Sequence, residues 1–387
     1  MPLKSIRVLD LTRLLPGPYC TMLLADFGAE VVKVEDPKIG DYARHYDPKV
    51  DEDSAIFHSL NRNKKSVCLD LKSQKGKIDF LGMVEKADVV VESFRPGVMK
   101  RLGIDYEKLK RINPGLVYCA ITGYGQTGPY AMEPGHDINY LSYAGLLNLM
   151  GEKDGKPAVP ATQIADIGGG ALPAAVGILL ALLEREKSGK GQFIDISMMD
   201  GVISWLQTVL PNYLSTNLSP KRGEQMLDGS RACYGVYETK DARWLSVGAL
   251  EPKFWKMFCH GIGKSDFISL LEAPLHEQHR LKYEIQTIIY QKTLSEWLEV
   301  FSETEACVSP VLTFEEMVEN PQVIAREMIQ TVSHSTLGTM KQIGIPIKLS
   351  ETPGEIRTEA PRLGEHTEKF RKTLKNCSTK ANKGVNG

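Results

Sequence analysis

Short runs of β-branched residues alternate with helix-forming stretches through the first half of the chain, and this alternation limits the possible folds more than any other feature. Ile6 to Leu11 is β-rich. Leu15-Pro16-Gly17-Pro18 is a turn, with Pro18 suited to a first helical position. Tyr19 to Phe27 reads as a helix closed by Gly28, and Val31 to Glu35 as a short buried strand. Strand, helix and strand at this spacing make a βαβ unit, which requires parallel strands. The pattern recurs with strand Val67 to Leu71, helix Gln74 to Glu85, strand Asp88 to Glu92, helix Tyr106 to Ile112 and strand Leu116 to Thr122. Val- and Ile-rich strands in this order predict an α/β fold with an open sheet covered on both faces.

Such a sheet invites a dinucleotide reading, and Glu35 ends the second strand where a ribose ligand would stand. The turn, however, is Leu15-Pro16-Gly17-Pro18 and not GxGxxG. Its two prolines remove backbone donors that a pyrophosphate needs. The expectation is therefore a Rossmann-like scaffold without NAD.

Beyond the sheet-forming region, Ala165 to Lys187 predicts a long apolar helix that begins around Gly168-Gly169-Gly170 and ends at Gly189-Lys190-Gly191. Gln192 to Ile196 reads as a strand and Met198 to Leu214 as a helix. Ser215 to Ser230 is rich in Ser, Asn, Pro, Gly and charge and reads as a linker. Tyr234 to Tyr237 and Trp244 to Val247 predict a hairpin around Lys240-Asp241, followed by helices near Pro252–His260 and Leu294–Ser302. The expected division is a large domain of residues 1–214 with a returning tail of 330–387, and a linker with a smaller α+β domain over 215–329. Strand signals at Lys341–Ile347 mark the tail, and the polar end Asn382–Gly387 is expected to fray.

With 47 basic and 48 acidic residues the net charge is −1, which gives no general attraction to nucleic acid or anionic membranes. An anionic ligand must then meet a local basic cluster. The seven cysteines are scattered without a CxxC pair, as expected of free thiols in a reducing compartment. Arg7, Asp10 and Arg13 interrupt any signal-peptide core, and the apolar run Ala171 to Leu183 is too short to span a bilayer. The expected location is cytoplasmic. No metal site is expected.

Gly135-His136-Asp137-Ile138-Asn139-Tyr140 follows the glycine loop Gly123–Gly128 after a strand, where open α/β sheets bind ligands. His136 reads equally well there as a structural or a functional residue, and Asp137 as a turn former or cap. Asp166 opens the apolar helix. A plain N-cap would explain it, but three glycines in one turn cost roughly 1 kcal/mol each relative to Ala. A substrate lying against Gly168 and Gly169 would account for them, with the helix start as an electrostatic partner for an oxyanion. Glu251 ends a strand before a helix. Arg62-Asn63-Lys64-Lys65 and Phe94-Arg95-Pro96-Gly97 with Lys100-Arg101 are the basic clusters, and the second, directly after a strand, suits a phosphate clamp.

Read together, these segments resemble the family III CoA-transferases (the CaiB/BaiF group). The resemblance runs through Leu15–Pro18 with Ala25–Ala29, Asn61–Ser66 with Leu69–Leu71, Glu92–Gly97, Gly123–Pro129 and Gly189–Gln192. It implies a Rossmann-like large domain, a smaller domain and an interlocked homodimer acting on an acyl-CoA thioester, with CoA belonging to the substrate and no separate cofactor. Gly135 to Tyr140 is similar to the Gly-His-Asp-Ile-Asn-Tyr motif of the α-methylacyl-CoA racemases of this family. That similarity implies His136 and Asp166 as the acid–base pair and Glu251 as the support of His136. It also places Gly135, Asp137, Ile138, Asn139, Tyr140, Gly168 and Gly169 at the substrate. Contacts to CoA are implied for Arg62, Lys65, Cys68, Leu69, Asp70, Leu71, Arg95 and Arg101. Asp36 stands where those racemases carry a CoA-contacting Arg, so the phosphates fall to Arg62, Lys65, Arg95 and Arg101. The alternative within the family is a CoA-transferase, in which Asp166 is a nucleophile and a poly-glycine loop covers the site; only Asp228-Gly229-Ser230 occurs near residues 222–236.

Overall fold

A computed structural model describes residues 1–373 of the 387; Cys377 and the expected frayed end Asn382–Gly387 lie outside the described residues. Two compact units are present. Among the described residues the first comprises 1–144, 160–205 and those from 322 on, the second 145–159 and 206–321.

The first unit is built on β1 (Arg7–Asp10), β2 (Glu30–Glu35), a two-residue pair β3 (Lys49–Val50) and β4 (Asp53–Ser54), β5 (Lys64–Cys68), β6 (Val89–Glu92), β7 (Val117–Thr122) and β8 (Phe193–Ser197). Six of these form one parallel sheet in the order β5-β2-β1-β6-β7-β8. The order reverses between β1 and β6, the arrangement of a doubly wound Rossmann-type sheet. Residues of β6 and β7 are buried throughout, which is why these strands read as unbroken apolar runs and not as alternating ones. One face packs Leu9, Val32, Val67, Val90 and Ala120 against Phe80, Met83 and Leu109. Glu35, the residue that resembled a ribose ligand, is instead engaged by the Arg44 guanidinium (2.8 Å) and the Ser66 hydroxyl (2.6 Å).

The loop after β1 is fixed by buried polar groups. Lys33 lies 2.7 Å from Asp41, both fully buried, and donates to the Thr12 carbonyl at 2.9 Å. The Leu14 N–H donates to Asp41 Oδ1, and Leu14 has a positive φ of 65°. Leu14 and Leu15 are thereby presented side by side at the start of the buried helix Pro16–Asp26.

The apolar helix Leu172–Ser188 is preceded by a π-helical turn, Ala165–Ala171, a feature absent from any propensity argument. Together they form a 24-residue helical stretch that by length and composition alone could cross a membrane. Ala174, Ala175, Ile178, Ala181 and Leu182 bury one side of it. The expected helix Met198 to Leu214 is broken into Met198–Ser204, a short 3-10 turn Leu206–Thr208 and Leu210–Thr216. Pro211 explains the second break, because it fits only the first turn of a new helix.

In the second unit β9 (Tyr234–Glu238), β10 (Trp244–Gly248) and β11 (Val308–Pro310) form an antiparallel sheet in the order β11-β10-β9. Trp255, Phe258, Trp297 and Phe301 stack in its core. The boundary differs from the expected one: residues 145–159 join this unit because Arg222 donates to the Asn148 and Gly155 carbonyls and Lys153 pairs with Glu224 at 3.0 Å. Such pairings across 70 residues leave no trace in local composition.

The tail belongs to the first unit as a hairpin, β12 (Ile329–His334) and β13 (Gly338–Ile343). Strand pairing stops at Ile343, short of the expected Ile347.

Candidate active site

Elements leaving the carboxyl edge of the sheet assemble the site. After β7 the chain passes through Gly123 and Gly125, the latter at φ 83°. A methyl group on Gly123 or Gly135 would collide with the Tyr140 ring. Tyr140 is 6% exposed and its hydroxyl donates to the Gly135 carbonyl at 2.5 Å. It holds the turn before His136 from below, so its buried ring acts as packing and not as a surface for substrate. The His136 N–H donates to Asn139 Oδ1 at 3.0 Å, which fixes His136 as the residue preceding the helix Asp137–Tyr143. The imidazole itself is exposed, as is Ile138.

Asp137 has a role that the motif alone does not disclose. Its Oδ1 accepts from the N–H groups of Ala165 (2.6 Å) and Asp166 (3.0 Å). The chain neighbour of His136 thus caps the π-helical turn that carries Asp166, and locks the two candidate residues together through one carboxylate. Burial and then the Asp137 charge push the Asp166 carboxyl up to about 7. Asp166 is not an N-cap.

The capping also corrects the expected oxyanion partner. Donors at the start of the Asp166 helix are already used, by Asp137 and by the Gln163 carbonyl, which accepts from Ile167. The glycines answer to packing. A methyl on Gly168 would overlap the Trp205 ring, and one on Gly169 would stand 2.5 Å from the Met198 carbonyl oxygen. Gly169 and Gly201 approach so closely that neither tolerates a Cβ. Gly168 and Gly169 therefore face the neighbouring helix, not a substrate. Gly169→Ala is expected to cost about 1–3 kcal/mol through overpacking, read as a lowered Tm.

His136 and Asp166 line one cavity of about 690 Å³. Its other walls are mostly apolar: Leu14, Leu15, Tyr19, Met22, Leu60, Ile167, Met328, Ile343 and Pro346 contribute, with Gln163 as a neutral polar group. Motifs did not reveal this lining, because it is assembled from the β1 loop, the first helix and the returning hairpin.

The basic residues separate into two sets. Arg62 is 1% exposed and bound to Asp26 through Nε (3.1 Å) and Nη2 (2.8 Å), while its Nη1 donates to the Ile343 carbonyl. Its charge is spent inside the fold, which corrects its assignment as a phosphate clamp. Lys65 lies at the amino end of β5 and pairs at 2.5 Å with Glu30, itself bound to Arg7. It does not line the cavity that His136 lines. Arg95 and Arg101 are exposed in the turn and helix after β6. The turn is set by the Phe94 N–H donating to Glu92 Oε2 at 2.7 Å and by Gly97 at φ 81°; burial pushes Glu92 up to about 7. Burial and then Asp166 raise the Tyr140 hydroxyl while Arg95 opposes them, so Arg95 acts on the same locale.

The segment Cys68–Leu71 leaves the carboxyl end of β5. Leu69 is 3% exposed and belongs to the core, with the partly buried Leu71 packed against it. The Cys68 N–H donates to Thr367 Oγ1, and Asp70 is exposed with its carboxylate accepting from the Lys72 N–H. Asp36 is likewise occupied by the Lys38 and Ile39 N–H groups. Glu251 belongs to the second unit, exposed before the helix Pro252–Gly261 and without a side-chain cap. Among the described residues no group of three or more His, Cys, Asp or Glu could hold a metal ion.

A Rossmann-type sheet carrying an imidazole and a near-neutral carboxyl on one apolar cavity defines an enzyme scaffold suited to proton transfer or acyl chemistry. The chain belongs to CoA-transferase family III, which it matches over residues 3–367. It is 36% identical over 372 residues to the alpha-methylacyl-CoA racemase of Homo sapiens, covering 96% of this chain and 92% of that one. It is also 36% identical over 385 residues to the acetyl-CoA:oxalate CoA-transferase of Acetobacter aceti, covering 96% and 95%. A solved CAIB/BAIF family protein from Brucella suis superposes with a TM-score of 0.85 at 30% identity, covering 97% and 99%. Relatives named for either chemistry are thus matched at the same identity, and the family alone establishes a CoA-handling enzyme.

Proposed function

We propose that this enzyme is an α-methylacyl-CoA racemase, epimerising the α-carbon of a 2-methylacyl-CoA through an enolate. The observation that carries the reading is Asp166: a mostly buried carboxyl held near neutrality, on the same cavity as His136. One group must remove the α-proton and the other must return a proton to the opposite face. A carboxyl at about 7 exists in both forms at neutral pH, which suits proton transfer in either direction. The ionised form of the same carboxyl is the nucleophile in the transferase alternative. That alternative predicts exchange of labelled carboxylic acid into acyl-CoA and a hydroxylamine-trappable adduct on Asp166. The racemase reading expects neither, and expects activity to collapse in His136→Ala.

In this reading His136 is the partner base and acid. Arg95 and Arg101 hold the CoA phosphates. Exposed Leu172, Val176, Leu179, Leu180 and Leu183 form an apolar stripe on one helix, which supports the interlocked homodimer. A cytoplasmic enzyme with no cofactor beyond the CoA of its substrate completes the proposal.

The pH profile tests the role of Asp137. Asp166 loses its proton as pH rises through about 7, so the limb that needs the acid form should fall there. Asp137→Asn removes the neighbouring negative charge and should move that limb to lower pH. An unchanged limb would show that Asp137 does not set the protonation of Asp166.

A further inference from the structure

We infer that the returning hairpin sets which acyl chains the enzyme accepts, with Met328 and Ile343 as the specificity-determining side chains and an uncharged, extended acyl chain as the ligand. The inference rests on the proposed reaction only in placing the α-carbon between His136 and Asp166. From there the acyl chain has the apolar cavity as its continuation, because both residues line it. Its volume of about 690 Å³ is far larger than a two- to four-carbon acyl group needs and falls within the range that holds drug-sized ligands.

Charge selects the class of chain. Among the residues lining this cavity Arg62 is the one Lys or Arg, and its guanidinium is committed to Asp26 and to the Ile343 carbonyl. A second carboxylate at the far end of a dicarboxylic acyl group would be desolvated there without a counter-charge.

The wall itself is a rigid backbone carrying replaceable side chains. The Gly344 N–H donates to the Met328 carbonyl at 2.8 Å, closing the base of the hairpin. A Cβ on Gly344 would overlap the Glu327 carbonyl, so the backbone there is fixed. At the tip, Thr336 Oγ1 donates to Asp51 Oδ2 (2.9 Å), the Ser335 N–H to Glu359 Oε2 (2.9 Å), and the His334 ring meets that of His58 edge-on. Arg62 joins the hairpin to the helix that forms the opposite wall. Ile343, in contrast, is 59% exposed in the single chain and lies outside the buried core. Its side chain can change the depth of the cavity without disturbing the core.

The test compares Ile343→Trp and Met328→Trp with the unaltered enzyme on 2-methylbutanoyl-CoA and 2-methyldodecanoyl-CoA, following α-proton exchange. The long-chain kcat/KM should fall at least about tenfold relative to the short-chain value, the scale of a lost pocket contact. Equal effects on both substrates would overturn the inference. Binding distinguishes failure of the hairpin from failure of the reaction. Should the unaltered enzyme exchange neither substrate, competition by dodecanoyl-CoA and acetyl-CoA still reads the cavity. A loss of long-chain affinity alone in the Trp variants supports the inference, and no change contradicts it. Tighter binding of succinyl-CoA than of butanoyl-CoA would overturn the assignment of an uncharged chain.

Discussion

Asp166→Asn is expected to lower the rate of α-proton exchange by about 10²–10⁴-fold, the usual contribution of a positioned acid or base, and to raise heat stability at pH 8. The amide keeps the shape of the site and removes the proton-transfer function. The gain in stability follows from the sign of the pKa shift. Burial and Asp137 favour the protonated carboxyl in the fold, so the stability associated with that form is complete below the ordinary aspartate range. It is lost as pH rises through about 7. At pH 8 the native enzyme therefore carries an ionised, poorly solvated carboxylate that Asn does not. Tm measured at pH 5 and pH 8 should show the Asn variant gaining on the parent only at the higher pH. A variant that loses activity but is no more stable at pH 8 would mean that the Asp166 carboxylate is well solvated in the fold.

Arg62→Met is expected to destabilise the first unit by about 3–5 kcal/mol, the effect of removing one partner of a buried ion pair, or roughly 10 °C in Tm for a unit of this size. Asp26, itself fully buried, would keep only the Asn63 side-chain donor at 2.8 Å. The double variant Asp26→Leu with Arg62→Met should recover a large part of the loss, since no buried charge is then left unpaired. Affinity for free CoA distinguishes this account from a phosphate clamp. A structural Arg62 leaves the Kd for CoA within a few-fold once the protein is folded. A clamp would show the reverse, with unchanged Tm and weakened CoA binding.

Local sequence was sufficient where local physics decides. The β-branched runs, the turn prolines and the glycine after the first helix give the parallel sheet and its connections, because βαβ units are stabilised by contacts between adjacent elements. His136 and Asp166 could be singled out as candidates because a motif and a glycine-rich helix start are contiguous in the chain, and the fold brings both to one cavity. What those glycines do was not legible: only the crossing helix with Gly201 and Trp205 shows that Gly168 and Gly169 answer to packing. The same limit applies to Arg62. A charge run in a sequence reads as solvated surface or ligand clamp, and nothing local reveals that Asp26, 36 residues away, is its partner. The cavity was the least legible element, since its walls come from residues near 15, near 60 and beyond 325. Asp137 lies between these cases. Its place in the motif marked it as a cap or turn former, but the strand of chain it caps is 28 residues further on.

The central claim is that His136 and Asp166 exchange protons at the carbon beside the thioester. One epimer of a 2-methylacyl-CoA incubated with the enzyme in D₂O tests it most directly. The account predicts deuterium at the α-carbon together with loss of stereochemical purity, both abolished in His136→Ala. Retention of the α-proton and of configuration, with labelled carboxylic acid entering the acyl-CoA pool instead, would contradict it.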